Sequence, residues 1–114
     1  MQTIIANIIQ WHKDRNLIEG STDKDQVLKL MQELGELSDH VCKDSHTMLI
    51  ADDLGDMMVV LLNIMHRSGL TMEMCLQKAY ESIKDRKGKM VDGIFVKEVS
   101  PGDPIPKQLG GKKN

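Results

Sequence analysis

Apolar residues recur at helical spacing along most of the chain. Ile4, Ile5, Ile8, Ile9 and Trp11 form an i, i+4 stripe that predicts a first helix over about 3–12, running out near Asn16. Gly20-Ser21-Thr22 marks a loop, and Thr22 or Asp23 can cap a second helix with Val27, Leu30, Leu34, Leu37 and Val41 as its apolar face. The stretch Lys43-Asp44-Ser45-His46-Thr47 interrupts the period, with Asp44 or Ser45 as the next cap, and a third helix follows over about 48–66. Ser68-Gly69 closes it, and Thr71 opens a fourth over about 72–86. After Gly88, β-forming residues surround Asp92-Gly93, the signature of a short hairpin or irregular arm. The remainder, 99–114, is rich in Pro, Gly and Lys and is expected to be a flexible tail.

One short phrase occurs twice within this helical pattern. Residues 33–36 read Glu33-Leu34-Gly35-Glu36, and residues 53–56 read Asp53-Leu54-Gly55-Asp56. Acids three apart project from roughly one side of a helix. If the second and third helices form an antiparallel hairpin about residue 45, Glu36 and Asp53 both lie roughly 12–14 Å from the turn at the helical rise per residue. Glu36 is then level with Asp53, and Glu33 with Asp56. Four carboxylates converging between helices repel one another unless a cation sits among them, and an all-oxygen donor set suits Mg²⁺ or Mn²⁺.

The helical wheel sharpens the expectation. Gln26, Lys29, Glu33, Glu36 and His40 share one side of the second helix. The third helix is apolar around most of its circumference, with a narrow polar strip of Asp53, Asp56, Asn63 and Arg67 interrupted by Val60, which predicts a largely buried helix. Buried carboxylates are costly unless paired or metal-bound. Gly35 and Gly55 either let a neighbouring helix approach closely or fit tight packing. Trp11 is a core aromatic or a surface for stacking a base, the core being favoured by its Ile neighbours. His12, His40, His46 and His66 share no ligand spacing, and His40, one turn past Glu36, is expected at the surface or behind the ligands.

Composition narrows the class. The chain has 114 residues, which points to one small domain over 1–98. Its aromatics are Trp11, Tyr80 and Phe95, while nine Met join Leu, Ile and Val, a core that suits packed helices. A formal charge of −2 argues against a general nucleic-acid binder. Cys42 and Cys75 lack the spacing of a zinc site or a disulfide framework, and a reduced, cytoplasmic setting fits. No signal peptide is visible, and the longest apolar run, 57–62, is too short to span a membrane.

The two acidic blocks resemble the MazG-like nucleotide pyrophosphohydrolases, the all-α group that also takes in the dimeric dUTPases. The family pattern is EExxE, a spacer, then ExxD. Here the blocks are Gln32-Glu33-Leu34-Gly35-Glu36 and Asp53-Leu54-Gly55-Asp56, with similar flanking text at 26–30 and 86–93. Two positions depart from the pattern: Gln32 replaces the leading Glu, and Asp53 replaces the Glu of ExxD.

The resemblance implies an all-α, four-helix bundle unit with a short C-terminal arm, assembling as a homodimer or homotetramer. It also implies Mg²⁺-dependent hydrolysis of a nucleoside triphosphate to the monophosphate and pyrophosphate, with Mn²⁺ a possible substitute. On this reading Glu33, Glu36, Asp53 and Asp56 are the metal ligands, and Glu36 or Glu33 alternatively holds the attacking water. Lys29 is the best-placed cation for the phosphates. Lys84, Arg86, Lys87 and Lys89 either close over the phosphates or form a solvated charge run at a helix end. Asn63 is expected to bind base or sugar, with a buried structural role as the alternative. Narrower activities of the dUTPase or phosphoribosyl-ATP pyrophosphohydrolase kind, or a non-catalytic regulatory module retaining the fold, are the competing readings.

Overall fold

Four helices and one hairpin follow one another in the expected order: α1 Gln2–Asp14, α2 Asp23–Cys42, α3 Thr47–Arg67, α4 Met72–Ile83, β1 Gly88–Val91 and β2 Ile94–Lys97. They are seen in a computed structural model that describes residues 1–98. The expected tail at 99–114 lies outside the described residues. The described residues are mostly helical, as the apolar periodicity predicts, and divide into two compact units, Met1–Cys75 and a second that begins at Leu76, with the division falling inside α4. No helix among the described residues is long and apolar enough to cross a membrane.

Local chemistry explains the helix ends in the first unit. Thr22 begins α2 with a capping box: its hydroxyl accepts from the Asp25 amide at 3.1 Å, and the Asp25 carboxylate accepts from the Thr22 amide at 3.3 Å. His46, rather than Asp44 or Ser45, caps α3, its Nδ1 accepting from the Met48 amide at 3.1 Å. At the other end of α3, the Arg67 Nε donates to Asp23 at 3.0 Å while Nη1 donates to the carbonyls of Ile18 and Ser21. One guanidinium thus ties the α1–α2 loop to α3, a use that its planar fork of donors favours.

Packing within the first unit runs between α2 and α3 and between α1 and α3. The side of α1 that turns inward is Ile5, Ile8, Ile9 and His12, spaced as a helix face requires. Trp11 lies about 100° away from His12 on that wheel and is 44% exposed, with the Arg15 guanidinium 4.3 Å from its ring centre. The expected core role of Trp11 is therefore corrected.

The third helix is less completely buried than its apolar circumference predicts. Asp53, Val60, Leu62 and Asn63 are its buried residues, whereas Leu54 and Met58 on the apolar side are exposed in the single chain. Asp53 and Asn63 of the polar strip turn inward because the groups they need, His40, His12 and the Leu17 carbonyl, all come from within the unit. A Cβ added at Gly35 or Gly55 meets nothing within 4 Å, so neither glycine accommodates a close helix contact within the chain.

The hairpin belongs to the second unit. Its register runs from Gly88 opposite Lys97 to Val91 opposite Ile94, closed by Asp92-Gly93. Both turn residues have positive φ, 50° and 81°, as the tight turn favoured between antiparallel strands demands. A side chain at Gly88 would run into the Val96 carbonyl and the Phe95 ring.

Candidate functional site

The side chains that converge are Glu33 and Glu36 from α2 and Asp56 from α3. One carboxylate oxygen of each lies within 4.8 Å of the others. Glu33 meets Asp56, and His40 meets Asp53, so the two helices run in opposite senses, as the level-matching of the acid pairs anticipates.

Glu33 is the buried member, 6% exposed, and Glu36 and Asp56 are exposed. The Lys29 ammonium, one turn earlier on α2, sits 3.2 Å from Glu33 Oε1. Glu33 Oε2 is buried and has no hydrogen-bond partner. Leaving such an acceptor unsatisfied costs roughly 1–3 kcal/mol, more for a charged group.

The crowding of negative charge changes the acids' affinity for protons. The Glu36 carboxyl is pushed above its ordinary range, chiefly by the charge and close approach of the Glu33 carboxylate, then by lost hydration and Asp53, with Lys29 opposing. Asp56 is pushed up by partial loss of hydration first, then by Glu33, Asp52 and Asp53, with Lys29 again opposing. Excess negative charge, hard oxygen donors and a buried acceptor without a donor together fit a divalent cation of the Mg²⁺ type.

Asp53, the fourth expected ligand, does not join the other three. It is 4% exposed, and its Oδ2 lies 2.5 Å from His40 Nδ1. His40 thus has a definite partner from the facing helix, consistent with a place behind the ligands.

Asn63 is drawn into the core instead of facing a ligand. It is fully buried, and its Nδ2 donates to the Leu17 carbonyl at 2.9 Å and to His12 Nδ1 at 3.2 Å. His12, 2% exposed, bonds the Val59 carbonyl through Nε2 at 2.9 Å. A carbonyl only accepts, so Nε2 carries the hydrogen and Nδ1 receives the Asn63 amide. The expected contact of Asn63 with base or sugar is replaced by this joint between α1, the following loop and α3. The alternative of a buried structural role holds, and the wheel alone leaves the two roles open because a polar residue on the inward strip has the same position whether it meets a ligand or another buried polar group.

The remaining substrate candidates each have a local setting of their own. Lys84 pairs with Glu81 at 3.1 Å, Arg86 reaches the Ser82 carbonyl at 3.5 Å, and Lys89 is exposed on β1. All three belong to the second unit. Trp11 is exposed on α1, its ring covered on one side by Arg15.

A phage protein shares part of this sequence. The chain is 47% identical over 62 residues to an uncharacterized 18.2 kDa protein from the rep–hol intergenic region of Haemophilus phage HP1 (strain HP1c1). The match covers 54% of this chain and 37% of that protein, so it spans little more than a third of the curated relative's length. No family model matches the chain, and no solved structure matches it.

Proposed function

We propose that the chain is a divalent-cation-dependent pyrophosphohydrolase of nucleoside triphosphates, similar in chemistry to the MazG-like enzymes whose acidic blocks it resembles. The observation that carries this reading is the buried Glu33, one of three converging carboxylates, whose Oε2 lacks a donor. Glu33, Glu36 and Asp56 would hold the cation. When bound, Mg²⁺ supplies charge neutralisation for the phosphate oxygens and orientation for in-line attack.

The side chains account for the rest of the chemistry. A water oxygen bonds to phosphorus as the bridging bond between the α and β phosphates breaks, and pyrophosphate leaves with the bonding electron pair. Glu36, the exposed acid on α2, would accept the water proton through the carboxylate oxygen it does not give to the cation. Lys29 holds Glu33 in place and lowers the repulsion that an anionic substrate meets.

Exposed Leu34, Val41, Leu54 and Met58 on α2 and α3 favour a homodimer or homotetramer in which a second copy covers them. The test of function is Mg²⁺-dependent pyrophosphate release from a panel of NTPs and dNTPs. Release that requires Mg²⁺ and disappears in Glu36→Ala supports the proposal. Turnover of dUTP alone favours the narrower dUTPase-like activity, and no turnover with any nucleotide favours a non-catalytic regulatory module.

A further inference from the structure

Resting on the cation reading above, we propose that His40 is a positioning residue that withholds Asp53 from the metal. The chain then binds its cation through three carboxylates, Glu33, Glu36 and Asp56, and keeps His40 and Asp53 as a fixed dyad beside them.

Asp53 and Asp56 have side chains of the same length on the same helix, and only Asp56 reaches the cluster. What separates them is a partner. Asp53 Oδ2 already accepts a hydrogen bond from His40 Nδ1 at 2.5 Å, and this contact is made inside the fold, with Asp53 6% and His40 31% exposed at their side chains. Turning Asp53 toward the cluster would break that bond and leave a ring nitrogen without its acceptor. Glu33 is in the opposite condition. It is buried to a similar degree, Lys29 engages only its Oε1, and its Oε2 is buried without a donor, a state that neither Asp53 oxygen shares. The free buried lone pair therefore marks the acid poised for a cation, and the occupied one marks the acid held back.

His40 is anchored on α2, about one turn beyond Glu36, and Asp53 stands about one turn before Asp56 on α3. Their bond therefore links the same two helices that supply the three ligands.

The test is calorimetric titration of the full chain with Mg²⁺. Asp56→Asn is expected to weaken binding by about tenfold or more, whereas Asp53→Asn changes it by less than about threefold. His40→Ala frees Asp53 to join the cluster, so binding tightens by about threefold or more, and the gain vanishes in the His40→Ala/Asp53→Asn double variant. In the wild-type protein, the strongly hydrogen-bonded His40 Nδ1 proton is expected in the ¹⁵N-edited NMR spectrum and persists at saturating Mg²⁺, a readout that does not depend on any variant folding.

The proposal is overturned if Asp53→Asn is as damaging as Asp56→Asn, if His40→Ala fails to tighten binding, or if Mg²⁺ removes the Nδ1 proton signal. Each of these outcomes leaves the cation site standing. Failure of the wild-type protein to bind Mg²⁺ at millimolar concentration removes the cation reading and this proposal together.

Discussion

The segments 33–36 and 53–56 have the same spacing and the same Leu-Gly centre, yet they end in different states. In each, the first acid is buried and the second exposed: Glu33 and Asp53 face inward, Glu36 and Asp56 outward. The inward Glu33 is neutralised from its own helix by Lys29 and keeps one oxygen free. The inward Asp53 is engaged by His40 across the helix pair. Spacing thus decides which acids lie near one another, and the neighbouring cation or imidazole decides which of them has a lone pair to offer.

The largest effect that can break this comparison is on turnover. Glu36→Ala is expected to lower Mg²⁺-dependent pyrophosphate release by roughly 10²–10⁴-fold, the usual contribution of a positioned base. Loss in Glu36→Ala but full activity in Asp56→Ala would show that the second segment contributes nothing to the chemistry.

Asn63→Ala probes the same α3 strip away from the cluster. It leaves His12 Nδ1 and the Leu17 carbonyl without their donor and should destabilise the fold by about 2–3 kcal/mol in urea unfolding, with Mg²⁺ affinity unchanged. A comparable loss of affinity would tie the core joint to the site.

Thr22→Ala removes the capping box at the start of α2 and should cost about 1 kcal/mol by the same measurement. Because the cap lies at the far end of α2 from the loop to α3, the cluster should keep its Mg²⁺ affinity.

The smallest effect is on pH dependence. Glu36 and Asp56 hold protons more tightly in the folded chain than in the unfolded one. Within the window where the folded chain carries the extra protons, stability contributed by these groups falls as pH rises and is recovered on acidification. Thermal melts in EDTA should show this slope just above the ordinary carboxylate range, and saturating Mg²⁺ should flatten it by offsetting the repulsion. Both groups are exposed, so solvent screening keeps the slope shallow. A slope unchanged by Mg²⁺ would separate the raised proton affinities from cation binding.

Much of the scaffold was legible because it depends on local chemistry. The helix period, Thr22 as a cap and Asp92-Gly93 as a turn each follow from a few neighbouring residues. The meeting of Glu33, Glu36 and Asp56 was legible for a related reason, since counting outward from a helical turn sets heights along both helices. What escaped was the choice among side-chain orientations. Periodicity defines a stripe on α3 but not whether its polar or apolar side turns inward, and here the inward side holds Asp53 and Asn63. Likewise, His12 and Trp11 are adjacent in sequence, and only the packing of Ile5, Ile8 and Ile9 selects which of the two is covered.

The His12–Asn63 contact joins positions 51 residues apart in a bond that accepts one ring tautomer and one amide orientation. Neither residue can drift alone without stranding the other, so the two behave as a single unit of inheritance. A lineage leaving this pairing must cross a poorly stable intermediate or change both codons together.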